Sequence, residues 1–120
     1  MKKLFLILIA VCSQTILFAQ DAKQLHDNAR DFMHKGDYAN AILILNRALG
    51  KQPGNIEIVK DLGLNYYYMK DYNKCIETLT RLFDRDDVDD QIFQIAGDAY
   101  WALEDAKGAE DTYRKGIKKL

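Results

Sequence analysis

The sequence predicts an all-α protein made of three stacked antiparallel helical hairpins, and three observations carry that prediction. Shifted by 34 residues, the chain from Ala22 onward falls onto itself twice without a gap. Within each 34-residue unit, apolar residues recur at helical spacing. Each unit is also interrupted by a short polar turn that ends in aspartate.

In the alignment, Ala29, Gly63 and Gly97 are all small, and Phe32, Tyr66 and Tyr100 are all aromatic. Asp37, Asp71 and Asp105 follow, then Ala41, Cys75 and Ala109 as small residues again. Leu45, Leu79 and Tyr113 are large, and Leu49, Phe83 and Ile117 close the set. The first helix of unit one carries Leu25, Ala29 and Phe32 on one face. The break His34–Asp37 ends it, and Asp37 is placed to accept hydrogen bonds from the first free N–H groups of the next helix. That second helix is predicted over residues 38–51, with a basic last turn and then Pro53, which cannot continue it. Its run Ala41 to Leu45 is strand-like in isolation, but the repeat makes it helical. In unit two, Val59, Leu62, Gly63 and Tyr66 repeat the pattern, and the break falls at Met69-Lys70-Asp71. In unit three it falls at Leu103-Glu104-Asp105. The small residues predict close helix approach, Ala29 against Ala41 and Gly63 against Cys75.

Residues 1–20 have a different character. Lys2 and Lys3 precede an apolar run, Leu4 to Val11 and then Thr15 to Phe18, with Ala19 and Gln20 leading into polar sequence. This is the layout of a secretory signal peptide, cleaved near residue 20, which leaves a domain over 21–120 with repeats at about 22–55, 56–89 and 90–120. An uncleaved anchor is disfavoured because Ser13, Gln14 and Thr15 interrupt an already short stretch. Lipidation at Cys12 fits poorly, since Val11 precedes it and the apolar run resumes after it. Membrane attachment therefore requires a retained or lipidated leader, and the expected location is extracytoplasmic, periplasmic or secreted.

Of 120 residues, 48% are hydrophobic and 29% charged, as in ordinary globular chains. Without the leader, 15 basic residues face 18 acidic ones, a net charge of −3. No basic block is present, which argues against nucleic acid as a partner. Cys75 is then alone, with no internal disulfide available, and fills a small-residue slot. His26 and His34 lie eight residues apart without a third ligand at metal spacing, and solvent-facing positions are expected for both. The acidic run Asp84 to Asp90 lacks a calcium-loop pattern, because Val88 takes a needed oxygen position. Asp89 or Asp90 is instead placed to cap the next helix. No phosphate loop, nucleophile elbow or convincing acid pair is present, so no enzyme and no cofactor are expected.

The units resemble tetratricopeptide repeats. Unit one carries that pattern in Ala29, Phe32, Gly36-Asp37-Tyr38, Ala41, Ala48 and Pro53. Unit two keeps Gly63, Tyr66 and Asp71-Tyr72 but departs at Lys70, Cys75, Leu82 and Asp87. Unit three keeps Gly97, Tyr100 and Ala109, has Gly116 for alanine, and stops before the proline. The resemblance implies a short right-handed superhelix whose first helices line a concave groove. Groove positions carried over are Lys23, His26, Arg30, Met33 and His34 in unit one. They are Glu57, Lys60, Leu64, Tyr67 and Tyr68 in unit two, and Gln91, Gln94, Asp98, Trp101 and Ala102 in unit three. Met33, Tyr67 and Trp101 form one row of large adaptable residues suited to a binding patch, with ordinary core packing as the alternative. The carboxylate clamp of chaperone-binding members is absent: its places hold His26, Arg30, Asp61, Gln91 and Ile95.

The function expected on these grounds is a module that binds another protein or peptide in the groove, in an adaptor or scaffold role. The alternative is a structural repeat that self-associates into a homo-oligomer, or a subunit of a cell-envelope complex without a peptide groove. Two features suit the alternative. Tyr113 and Ile117 are expected to stay partly open at the end of the stack. Leu43 and Ile44 stand where later units have Glu77-Thr78 and Asp111-Thr112, so this surplus apolar pair is expected on an outer face as a docking patch.

Overall fold

The computed structural model describes the backbone of residues 1–120 and the side chains of residues 1–10 and 21–120. Val11–Gln20, which include Cys12, therefore lie outside the described side chains. Among the described residues every regular element is a helix: α1 (Lys2–His34), α2 (Tyr38–Lys51), α3 (Ile56–Tyr68), α4 (Tyr72–Thr80), α5 (Asp90–Ala102) and α6 (Ala106–Lys119). Successive helices pack in series, α1 on α2, α2 on α3, α3 on α4, α4 on α5 and α5 on α6, and α3 also touches α5. Because each turn within a pair is only a few residues long, paired helices run in opposite directions.

The turns explain why the chain folds back where it does. Gly36, Lys70 and Glu104 all have positive φ, at 75°, 62° and 62°. At each, the next residue's N–H reaches back five residues, Asp37 to the Phe32 carbonyl, Asp71 to Tyr66 and Asp105 to Tyr100. This is the left-handed C-terminal cap that satisfies the last free carbonyls of a helix. Asp37, Asp71 and Asp105 then accept from the N–H groups of Asn40, Lys74 and Gly108, so one residue ends a turn and starts a helix. Asn55 and Asp89 cap α3 and α5 the same way, which assigns the second cap to Asp89 rather than Asp90.

The core is built between the pairs. Ala29, Leu45, Ala48, Ile58 and Leu62 form one cluster, and Val59, Leu79, Phe83, Ile92, Phe93 and Ala96 contribute to a second. Phe83 and Phe93 stack at 4.6 Å within it. The close approaches differ in partner from those expected. A methyl group on Gly63 would meet the Leu79 side chain, and one on Gly97 would overlap the Tyr113 ring. The glycines make room for the large residue one turn beyond Cys75 and Ala109. The α4 helix is also shorter than α2 or α6. After Thr80 the chain tightens, with the Leu82 N–H bonded to the Leu79 carbonyl and Phe83 to Thr80. Leu82 and Phe83 are adjacent yet both buried, and this three-residue bonding turns both inward.

The N-terminal part of α1 stands apart from this core. Leu4, Phe5, Leu6, Ile7 and Leu8 are all at least 60% exposed, whereas Ala22 is fully buried. Among the described residues no helix is long and apolar enough to cross a membrane.

Candidate functional site

Helices α1, α3 and α5 present most of the sequence-predicted groove residues, and an ion-pair ladder runs across them. Asp61 on α3 is buried, and its Oδ2 lies 2.6 Å from His26 Nε2 and accepts a hydrogen bond from Arg30 Nε at 2.9 Å. His26 is consequently only 9% exposed, which corrects the solvent-facing position expected for it. Its polar ring is tolerated there because Asp61 satisfies it. His34 is exposed as expected. On the next rung, Lys60 Nζ donates to Asp89 at 2.8 Å and lies 3.1 Å from Glu57. Burial pulls the Lys60 amine down, but the bonds to Asp89 and Glu57 outweigh it and hold the amine above its ordinary value. Gln91 Oε1 lies 3.4 Å from the same amine. Lys23 is at the exposed edge, paired with Asp27 at 2.7 Å.

Beside Asp61 opens a concavity of about 340 Å³ lined by Arg30, Met33, His34, Tyr38, Leu64 and Tyr68. Five of these six were predicted groove residues. Tyr38, from α2, was not. Its ring stacks on Tyr68 at 5.0 Å and closes one side. Asp61 contributes to the same concavity and was also not among the groove positions. The signal that could have found it is an acid at helical spacing among the apolar residues Ile58 and Leu62 of α3.

The remaining predicted residues lie on other surfaces. Tyr67 is half-buried against the second core cluster and packs edge-on to Tyr72 at 5.4 Å. Burial raises its hydroxyl pKa, with the nearby Asp98 charge adding to the effect. Gln94 and Asp98 line a second concavity, of about 380 Å³, with Phe93, Tyr113, Gly116 and Ile117. There Asp98 accepts the Tyr113 hydroxyl, and burial together with that bond pushes the phenol up to about 12. Trp101 is 65% exposed and lines a third concavity, of about 450 Å³, with Ala102, Glu104 and Ala106. Met33, Tyr67 and Trp101 thus share a repeat position but not one cavity.

On the outer face, Leu43 is 64% exposed. Ile44 differs from expectation, being half-buried against the first core cluster. Ile117 is 67% exposed and Tyr113 half-buried. Cys75 is fully buried, and burial, with a smaller push from Asp71, raises its thiol to about 12, so it is a packing residue rather than a nucleophile at neutral pH. No group of three or more potential ligands that could hold a metal occurs among the described residues.

Two tetratricopeptide repeat models match the chain, one over residues 32–98 and one over residues 90–118. No curated protein matches it. Among solved structures, the chain is similar to the tetratricopeptide domain of Sgt2 from Aspergillus fumigatus. The TM-score is 0.74 at 23% identity, covering 82% of this chain and 66% of that one. It is also similar to the first such domain of Spaghetti (RPAP3), described as bound to the HSP90 peptide SRMEEVD. There the TM-score is 0.75 at 18% identity, covering 83% and 79%. The second domain of the same protein, bound to the same peptide, gives 0.77 at 18% identity, covering 90% and 99%. Identities this low carry the fold alone. With the first model spanning more than half of the sequence, the chain belongs to the tetratricopeptide repeat family.

Proposed function

We propose that this protein is an extracytoplasmic, three-repeat, right-handed tetratricopeptide segment that binds a peptide or protein partner on the surface formed by α1, α3 and α5. The observation that carries this is the concavity beside Asp61. Met33, Leu64, Tyr38 and Tyr68 supply soft and aromatic area there, while the ion pairs of Asp61 hold α1 and α3 at a fixed spacing. Few-rotor aromatic side chains on a preorganised wall are the usual anchors of a binding patch. Solved relatives of this fold hold a peptide. The test is selection of a random 12-residue display library on the domain, followed by affinity measurement. Tyr68→Ala and Met33→Ala should each weaken an enriched peptide about tenfold, as buried anchors do, with helicity unchanged. Enriched peptides indifferent to both variants would place binding elsewhere.

The leader reading has its own support. Ala22–His34 equals Ile56–Tyr68 and Asp90–Ala102 in length, 13 residues each. Asp21 precedes it at the repeat position where Asn55 and Asp89 cap their helices. A domain beginning near Asp21 would therefore carry its own helix cap, and the exposed apolar residues before it would be dispensable. Terminal sequencing of the exported protein should find a start close to Asp21, and retention of Met1 would contradict the reading.

Self-association remains a second function because of one observation. Phe93, Tyr113, Gly116 and Ile117 form the apolar part of the concavity on the α5/α6 face that Asp90, Gln94 and Asp98 also line, where an additional first helix would stack.

A further inference from the structure

The charge balance of the α1, α3 and α5 surface says more about its ligand than the presence of a groove does. Among the described residues, every lysine and arginine of α1 after Asp21, of α3 and of α5 is already held by a carboxylate. Lys23 is held by Asp27, Arg30 by Asp61 and Lys60 by Asp89 and Glu57. The carboxylates are not all matched in return. Glu57 is fully matched, with Arg30 3.8 Å and Lys60 3.1 Å away, but Asp98 and Glu104 have no cation beside them among the described residues. Asp98 has the neutral Tyr113 hydroxyl as its hydrogen-bond donor. Glu104 is exposed beside Trp101 and lines the same concavity of about 450 Å³. Asp98 and Trp101 lie one turn apart on α5, Asp98 lining the concavity of about 380 Å³ and Trp101 that of about 450 Å³.

An exposed indole flanked by carboxylates is a receptor for an ammonium or guanidinium group. The ring face attracts the cation, the carboxylates pair with it, and the aliphatic stem packs on the ring. An anionic ligand meets cations that are already neutralised, because Asp61 pairs with Arg30, and Asp89 and Glu57 pair with Lys60. We propose that Asp98, Trp101 and Glu104 take a lysine or arginine side chain of the bound segment. On that basis the protein selects basic, apolar segments and rejects acidic tails such as SRMEEVD. The proposal rests on the peptide-binding reading and adds the chemical class of the peptide.

The random 12-residue library again provides the test, now read for composition. Lysine and arginine should be enriched at least twofold over the input. SRMEEVD itself should give no saturable change in the fluorescence of Trp101, the chain's single tryptophan. Asp98→Asn and Glu104→Gln should each weaken an enriched basic peptide about threefold, and Trp101→Ala by a similar factor, the size of one exposed ion pair or cation–π contact. An enriched pool that is neutral or acidic would overturn the charge assignment and leave the groove intact. The assignment also falls if affinities are unchanged in all three variants. A library with no enrichment at all would remove the groove and this proposal together.

Discussion

Gly36, Lys70 and Glu104 occupy equivalent turn positions in the same left-handed conformation, although only the first is glycine. A side chain there crowds the following carbonyl, so Lys70→Gly should raise stability by about 1 kcal/mol, and Gly36→Ala should lower it by a similar amount. Urea unfolding of both variants checks the pair. Cys75 and Tyr113 make a second prediction at this scale. Both have folded pKa values near 12, above ordinary values of 9.0 and 10.0, chiefly because burial disfavours the charged forms. The folded state therefore holds these protons more tightly than the unfolded one. Their contribution is complete below pH 9 and is lost as pH rises from 9 toward 12, so unfolding free energy should fall across that window. A Cys75→Ala, Tyr113→Phe double variant should flatten the decline. The sequence put Cys75 in a packed small-residue slot and Tyr113 at a partly open end of the stack. It could not show Tyr113 meeting Asp98, because that contact depends on the rotation of α6 against α5.

Among the elements, α2 was legible to the residue: the cap at Asp37 and the stop before Pro53 bound a helix over 38–51, and it is found there. The shortened α4 was not legible. Its cause is tertiary, the joint burial of Leu82 and Phe83 against Val59 and Phe93. The link between α1 and α3 was hidden for a similar reason, since pairing His26 with Asp61 requires the stacking register of two separate units. Asp61→Ala should destabilise the protein by about 3 kcal/mol, because it leaves His26 buried without its partner. Replacing both His26 and Asp61 by leucine should stay much closer to the parent, because an apolar pair needs no partner. Chemical denaturation of the two variants separates a specific pair from general sensitivity at the site. Gly97→Ala belongs here too. The added methyl overlaps the Tyr113 ring, so forcing α5 from α6 should cost about 1–3 kcal/mol.

At the scale of the whole molecule, the two ends of the stack differ. Ile58, Leu62, Ile92 and Ala96 dock α3 and α5 onto the preceding pairs and are buried. The matching positions of α1, Gln24 and Asn28, are polar and exposed. That end is sealed by its sequence, while the α5/α6 face carries Ile117 open to solvent. In sedimentation of the domain, the peptide-binding account predicts a monomer. The self-association alternative predicts an oligomer that Ile117→Lys returns to monomer. The all-helical repeat fold was readable from the 34-residue spacing. The division of the predicted groove into separate concavities was not, because Tyr67 turns toward the core while Met33 and Trp101 do not. The most direct test of the central claim is amide and side-chain NMR mapping with a selected peptide added. The account predicts perturbations concentrated on α1, α3 and α5, at Met33, Leu64, Tyr68 and Trp101. Perturbations confined instead to Leu43 and the outer faces of α2, α4 and α6 would contradict it.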